Sequence, residues 1–308
     1  MRIIKETNFN FMKMATVTRF FSLIFLLIGF TSLILNKGPK LSIDFKGGTM
    51  IAVSFTESIE IDRLRTSIKQ INIDGQELDL SKSEIKYFGD KSNISVRLSS
   101  IENEPEKFIQ KFIQKLIELF PEKIPDNKEN FILAIEKVGP KIGAELSSDA
   151  IMAILSALAL ILIYISARFE FKFAIGAIAA LAHDILITLG IFSILGYEIS
   201  LAVIAAFLTI VGYSLNDTIV IFDRIRENIK GAKNTPLLLV VNQSINESLS
   251  RTIVTSLTTF FVVLILFLVG GEVIHTFAFA MIVGVIIGTY SSIFIASPIV
   301  IKLDKKST

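Results

Sequence analysis

Residues 199–228 read ISLAVIAAFLTIVGYSLNDTIVIFDRIREN, and this segment indicates the fold class. Its first part, 199–222, is apolar over about the 20 residues that a helix needs to cross the hydrocarbon of a bilayer. Charged residues follow at once, as expected where a span meets water. Asn216 and Asp217 interrupt the apolar run. A carboxylate inside hydrocarbon is costly, so Asp217 indicates a function.

Further apolar runs of similar length predict five more spans, at 20–35, 151–167, 173–195, 252–269 and 273–301. The composition agrees, because 52% hydrophobic residues and a mean hydropathy of +0.63 exceed what a soluble domain can bury. The chain is therefore predicted to be an α-helical membrane protein with six spans. One span lies near the N-terminus, and the other five form a bundle over residues 150–301.

The distribution of basic residues predicts the orientation. Lys and Arg precede the first span, separate spans two and three and spans four and five, and follow the sixth, whereas the turns 196–198 and 270–272 contain none. Positive loops stay in the cytoplasm, so residues 1–19 and 302–308 are predicted to be cytoplasmic. Residues 36–149 would then lie outside. No small-residue cleavage site follows the first span, which predicts an uncleaved anchor.

Residues 36–149 carry the pattern of a folded domain. Alternation and turn residues predict strands at 50–55, 83–88, 93–98 and 131–138. Two helices are predicted between them, one with Ile61, Leu64, Ile68 and Ile71 on its apolar face, the other opening with a capping box from Asn103 to Glu106 and Pro105 in its first turn. The order βαββαβ is that of a ferredoxin-like unit.

Several chemistries are excluded or unsupported. The chain has no cysteine, which excludes disulfides and thiolate metal sites, and neither of its two histidines lies in the outer domain. That domain also lacks a glycine-rich phosphate loop. We therefore expect no enzymatic activity, no cofactor and no metal site, and a net charge of +2 does not indicate a nucleic-acid partner.

The polar residues inside the spans are few. Helical rise places His183 and Asp184 about 15 Å deep in the third span and Asp217 about 9 Å from the cytoplasmic interface. Arg251 begins the fifth span and is followed by Thr252, Thr255, Thr258 and Thr259. A buried carboxylate either takes a proton or pairs with a cation, so Asp217 and Arg251 suggest a proton carrier.

Structural roles remain open for the same residues. Intramembrane polar groups often act only as interhelical hydrogen bonds worth about 0.6 kcal/mol each. Arg251 could be an interfacial cation, and His183 and Asp184, which point about 100° apart on a helix, could each satisfy a neighbouring group. His275 is expected at the interface. Gly284-x-x-x-Gly288 and Gly176-x-x-x-Ala180 are typical of helix packing.

Longer motifs carry a family resemblance. They are Ile43-Asp44-Phe45-Lys46-Gly47-Gly48-Thr49, Val138-Gly139-Pro140 with Ile142-Gly143, Tyr164-Ile165-Ser166-Ala167-Arg168-Phe169-Glu170, His183-Asp184, and Ser214 to Asn228. In these motifs and in its six spans with one large outer domain, the chain resembles the SecF family of protein-export membrane proteins, within the RND superfamily. Ser42 departs from the pattern, since the family tends to have Gly there.

The resemblance implies an accessory subunit of the Sec translocase in the bacterial inner membrane. With SecD as its partner, it would use the proton motive force to promote late steps in the export of unfolded preproteins through the SecYEG channel, which the SecA motor feeds. YajC and YidC are further implied partners, besides membrane lipid. The family pattern also implies that Asp217 and Arg251 lie on the proton pathway, with Asn216, His183 and Asp184 as further candidates.

Other functions remain as alternatives. A proton-coupled small-molecule exporter of the RND type would share the buried carboxylates, but such pumps usually carry twelve spans in one chain. An intramembrane protease could pair Asp184 with Asp217, or Ser214 with His183. Sodium could replace the proton if oxygens of Asn216, Ser214 and Thr218 gather around Asp217.

Overall fold

The computed structural model describes residues 7–73, 76–81, 83–101, 104–232 and 235–304. Within these ranges the elements are, in chain order, α1 (Phe11–Leu35), α2 (Ile43–Lys46), β1 (Gly48–Ser54), α3 (Ile61–Ile68), β2 (Gln70–Ile73), β3 (Gln76–Asp79), β4 (Glu84–Phe88), β5 (Asp90–Leu98), α4 (Phe108–Leu119), β6 (Ile132–Val138), α5 (Pro140–Arg168), α6 (Phe171–Leu195), α7 (Leu201–Gly231), α8 (Leu237–Val269), α9 (Glu272–Ser291) and α10 (Ser297–Leu303). Two compact units result, Met1–Lys40 with Ala150–Thr308, and Leu41–Asp149.

The first unit is a helical bundle. In the described part of the chain, six helices are long and apolar enough to cross a membrane, which confirms the predicted six-span fold. The sixth is α9 continued through a π-helical turn, Ser292–Ala296, into α10. Some helices extend past the predicted spans: α1 begins at Phe11 rather than residue 20, and α8 at Leu237 rather than residue 252.

Glycines allow the helices of this unit to approach closely. A Cβ atom on Gly29 or on Gly190 would lie 2.8 Å from the Cα of the other residue, so α1 and α6 touch backbone to backbone. A Cβ on Gly288 would lie 2.9 Å from the Cβ of Ser214, and one on Gly284 would overlap the side chain of Ile210. The expected packing role of the Gly284–Gly288 motif therefore agrees with the contacts of α9 on α7.

The second unit contains a four-stranded antiparallel sheet in the order β4-β5-β1-β6. The central strand, β1, pairs with β5 on one side and with β6 on the other. Buried side chains of α3 and α4 join those of the sheet in one core; the largest fully buried ones include Phe108, Phe112, Phe131, Leu64, Ile51 and Ile94. This strand order, with helices after β1 and before β6, confirms the ferredoxin-like βαββαβ unit.

Two local predictions in this unit were wrong. Ile71 belongs to β2, which forms an additional hairpin with β3, because α3 ends at Ile68 and the following residues alternate between exposed and buried. Helix α4 begins at Phe108, not near Pro105: Lys107 has φ 58°, a left-handed conformation that a right-handed helix cannot include. Asn103 of the predicted capping box lies outside the described residues, as do the basic residues Arg2, Lys5, Lys233, Lys305 and Lys306.

The paired glycines at the start of β1 have a steric purpose. Gly47 and Gly48 both have positive φ, 74° and 138°, which L side chains rarely adopt. A Cβ on Gly47 would lie 2.9 Å from the Cα of Pro140, and one on Gly143 would lie 2.9 Å from the carbonyl oxygen of Phe45. The two glycine motifs thus let the start of α5 pack against the turn before β1. Ser42 accepts a hydrogen bond from the Asp44 amide at 3.2 Å and so caps α2.

Candidate functional site

Asp217 lies on α7 and is buried, with 2% of its surface exposed. The hydroxyls of Ser256 and Thr255, both on α8, donate to its carboxylate over 3.3 and 3.5 Å. These distances are at or beyond the long end of ordinary hydrogen bonds. Both hydroxyls also have closer partners, since Ser256 shares a 2.7 Å hydrogen bond with Thr289 and Thr255 donates to the Arg251 carbonyl at 3.1 Å. The carboxylate is therefore buried but weakly held.

The oxygens that the sequence suggested around Asp217 are not assembled there. Asn216 is exposed, because consecutive residues of a helix point about 100° apart and Asp217 faces α8. The Thr218 hydroxyl donates to the Ser214 carbonyl, and the Ser214 hydroxyl donates to Asp184. The hydroxyls near Asp217 come from α8 instead, which leaves the expected sodium-binding group of Asn216, Ser214 and Thr218 without geometric support.

Arg251 lies one turn before Thr255 on α8, with its side chain exposed. Among the described residues it forms no ion pair or hydrogen bond with Asp217 that would join the two side chains. The turn between Arg251 and Thr255 corresponds to about 6 Å of helical rise, which a long arginine side chain can span. The predicted contact between Arg251 and Asp217 is thus not made in this arrangement of the helices.

Asp184 lies on α6, is fully buried, and has short contacts on three sides. Its Oδ2 accepts hydrogen bonds from the hydroxyls of Ser214 at 2.6 Å and Ser291 at 2.8 Å. Its Oδ1 lies 3.0 Å from Nδ1 of His183. The two adjacent side chains therefore contact each other directly, although their positions on the helix suggested separate partners. Asp184 joins α6, α7 and the end of α9 at one point.

The arrangement differs from that of a protease. A nucleophilic serine needs a base within hydrogen-bond reach of its hydroxyl. Ser214 donates to Asp184 and not to His183, which contacts the other carboxylate oxygen. Asp184 and Asp217 have separate sets of partners and share no recorded contact in the described residues, so neither pairing forms a catalytic dyad.

Charged residues after the apolar part of α7 connect it to its neighbours. Arg168, at the end of α5, forms a 3.2 Å ion pair with Asp223, and Arg226 donates to the Arg168 carbonyl at 3.2 Å. Arg224 pairs with Glu247 of α8 over 2.5 Å. The motif residues at this end of the bundle thus have structural contacts of their own. His275, in the first turn of α9, stacks on Phe267 with ring centroids 4.1 Å apart.

The metal-ligating side chains of the described residues do not form a metal centre. Among the residues that the structure describes, no three His, Asp or Glu side chains are placed to hold a metal ion together.

Comparison with known proteins gives a consistent result. Residues 122–306 match the model of the family "Protein export membrane protein SecD/SecF, C-terminal", and residues 32–59 match the "SecD/SecF GG Motif". A protein named protein translocase subunit SecF from Calditerrivibrio nitroreducens is 44% identical over 96% of this chain and 94% of its own length. Another of that name, from Thermodesulfovibrio yellowstonii, is 43% identical over 99% of this chain and 98% of its own length.

A solved structure also matches. It is the crystal structure of SecDF, described as a translocon-associated membrane protein, from Thermus thermophilus, with 38% identity and a TM-score of 0.82. The match covers 96% of this chain but only 39% of the SecDF chain. From the family models, the full-length relatives and this shared fold, it follows that the chain belongs to the SecD/SecF family of protein-export membrane proteins.

Proposed function

We propose that this chain is an accessory subunit of the Sec preprotein translocase, which works with SecD and uses the proton motive force to promote late steps of protein export. The names of its full-length relatives support the assignment to the translocase. The SecDF chain that it resembles is much longer, and this chain corresponds to 39% of it. A SecD partner would supply the remainder as a separate subunit.

The setting would be the bacterial inner membrane, with both termini in the cytoplasm and residues 36–149 in the periplasm. The Lys and Arg residues of the short loops support this orientation. SecYEG with its SecA motor would be the channel served, YajC and YidC would be neighbouring proteins, and unfolded preproteins emerging from the channel would be the substrates.

The proton-driven part of the proposal depends on one observation, which is that Asp217 is buried with only two long hydroxyl contacts to its carboxylate. A charged Asp at the centre of a membrane helix costs about 3 kcal/mol on insertion scales. Its two hydroxyl contacts, at 3.3 and 3.5 Å, offset little of this cost. Asp217 is consequently stable either as the neutral acid or with a cation beside it, and it can exchange one condition for the other.

Arg251 is the cation placed for that exchange. In the arrangement seen here the contacts of Asp217 with Thr255 and Ser256 are long, and among the described residues no cation pairs with it, so burial favours the protonated carboxyl group. After proton release, the carboxylate would attract Arg251 from one turn along α8, and α7 and α8 would shift to bring the two together. Each proton that crosses supplies about 2.3 kcal/mol per 100 mV of membrane potential, which is enough to bias two helix arrangements.

The function is tested by preprotein translocation in inverted membrane vesicles that contain this chain and SecD, with and without a protonophore. We expect Asp217→Asn and Arg251→Met to assemble normally but to lose the proton-dependent part of translocation. Asp223→Asn is the matched control, because it changes an aspartate of the same helix that is partly exposed and paired with Arg168. Equal protonophore sensitivity in wild type and Asp217→Asn would contradict the proposal.

A further inference from the structure

His183 and Asp184 form a buried pair that the exchange between Asp217 and Arg251 does not use. His183 is 6% exposed and Asp184 is fully buried. Burial of an ionisable pair in the membrane part of a protein is expensive and usually has a function. Interhelical hydrogen bonds from Ser214 and Ser291 explain why the Asp184 carboxylate can be buried. They do not explain why His183 is buried, because its Nε2 atom is buried and, within the described residues, has no hydrogen-bond partner.

The contacts of Asp184 determine where a proton can sit. The Ser214 and Ser291 hydroxyls donate to Oδ2, and Ser291 also reaches the Gly288 carbonyl at 3.2 Å, so Oδ2 acts as an acceptor. The remaining oxygen, Oδ1, faces Nδ1 of His183 at 3.0 Å. With an ionised carboxylate, Nδ1 must be the donor, and the lone pair of the neutral ring is then left on Nε2.

The surroundings suit a ring that gains a proton. When a proton binds at Nε2, an N–H bond forms there and the pair changes from a net charge of −1 to zero, which removes an uncompensated charge from the bundle interior. The Tyr290 ring lies 6.0 Å from the His183 ring, at the distance where an aromatic face attracts a cation. The phenol of Tyr290 is itself held by the Thr18 carbonyl at 2.6 Å and by Ser22 of α1.

The charged and titratable groups around the pair are few in the part of the chain that the structure describes. Helix α6 contributes the pair itself, α9 contributes Tyr290, and α7 and α9 contribute the hydroxyls of Ser214 and Ser291. No recorded contact brings a lysine, an arginine or a second carboxylate to the pair. The negative charge of the unprotonated pair is therefore not compensated by a neighbouring cation, and only a bound proton neutralises it.

We infer that His183 and Asp184 form a second proton-binding site, separate from Asp217, in which Asp184 orients the ring and Nε2 of His183 accepts the proton. Because Ser214 lies three residues before Asp217 on α7, the pair and Asp217 act on the same helix. This inference rests on the proposed proton-driven function and specifies a second proton site for it.

A direct test uses nitrogen NMR of the full chain in lipid bilayers, labelled with ¹⁵N-histidine. The chain has only two histidines, so His275→Asn leaves His183 as the single reporter. We expect the alkaline spectrum to show a protonated Nδ1 and a bare Nε2, and both nitrogens to be protonated on acidification. Asp184→Asn should abolish the preference for the protonated Nδ1. A ring with its proton on Nε2 at alkaline pH, or one that stays neutral at every pH at which the chain is folded, would overturn the inference.

The functional test is His183→Asn in the vesicle translocation assay, with His275→Asn as the matched control. An asparagine Nδ2 can replace the donor at Nδ1 and keep the contact with Asp184, but it cannot bind a proton. We expect at least a several-fold loss of the proton-dependent part of translocation in His183→Asn and none in His275→Asn. If Asp217→Asn loses this part while His183→Asn retains it, only the second site is refuted; if Asp217→Asn retains it, the proposed function itself fails.

Discussion

Asp184 and Asp217 are both buried aspartates, yet their contacts predict a large loss of stability on truncation of Asp184 and a small change on truncation of Asp217. Asp184→Ala would remove the acceptor for Ser214, for Ser291 and for Nδ1 of His183. The Ser214 hydroxyl has no other recorded partner in the described residues. Interhelical hydrogen bonds in membranes average about 0.6 kcal/mol and reach about 1.7, so the two serine bonds alone predict a loss of about 1–3 kcal/mol, to which the lost contact with His183 of the same helix adds.

Asp217→Ala should cost far less. Its two partner hydroxyls keep the bonds that Ser256 makes with Thr289 and that Thr255 makes with the Arg251 carbonyl. No buried donor is orphaned, and a costly ionisable group is removed. We expect the free energy of unfolding to change by no more than about 1 kcal/mol.

Steric trapping in bicelles measures both values. The chain has no cysteine, so two engineered cysteines can carry the biotin labels without a background reaction. Single-bond variants, Ser214→Ala and Ser291→Ala, should each lose about 0.6–1.7 kcal/mol and keep the test informative if Asp184→Ala does not fold. Equal losses for Asp184→Ala and Asp217→Ala would refute the distinction between a firmly held and a weakly held carboxylate.

Three further predictions concern packing and local structure. Gly190→Ala would place a Cβ atom 2.8 Å from the Cα of Gly29 and push α1 away from α6, at a cost of about 1–3 kcal/mol in the free energy of unfolding. A Cβ atom on Gly212 meets nothing within 4 Å, so Gly212→Ala should not destabilise the protein. Equal free energies of unfolding for the two variants would contradict the close approach of α1 and α6. At Gly48 φ is 138° and an added Cβ atom would overlap the Leu98 carbonyl oxygen, whereas Gly38, with φ 110°, faces open space. Gly48→Ala should therefore lower the melting temperature of the full chain more than Gly38→Ala does. The reverse order would refute the steric role of the glycine pair. The N–H and the carbonyl of Phe9 both form 2.9 Å hydrogen bonds with the Asn246 side chain. Asn246→Ala should therefore increase the rate of amide hydrogen exchange at Phe9. An unchanged rate would show that Asn246 does not anchor this segment.

The sequence predicted the fold class well because the bilayer simplifies the problem. A span needs a long apolar run, and six such runs are visible without any knowledge of packing. Helix ends were harder, since α1 and α8 continue past their apolar runs, where apolarity no longer marks them. The β2–β3 hairpin was missed although Ile71, Ile73, Leu78 and Leu80 alternate around Asp74-Gly75, a dipeptide typical of tight hairpin turns.

The site was only partly predictable. Asp184, Asp217 and His183 stand out because ionisable residues are rare in membrane spans. The hydroxyls of Ser256, Thr289 and Ser291 do not, since Ser and Thr are common in packed membrane helices. Ser214 was singled out, but its hydroxyl contacts Asp184 rather than the expected His183 or Asp217. Which helix faces which carboxylate depends on tertiary packing. That is why the sequence placed Asn216 with Asp217, while the structure places it on the exposed side of α7.

The proposed function requires Asp217 to carry protons across the membrane. Its most direct test reconstitutes this chain with SecD in liposomes containing a pH-sensitive dye and imposes a potassium diffusion potential. The account predicts potential-driven proton uptake with the wild-type complex, retention of that uptake in Asp223→Asn, and its loss in Asp217→Asn. Proton uptake in Asp217→Asn at the wild-type rate would show that Asp217 is a structural group and that the proton path lies elsewhere.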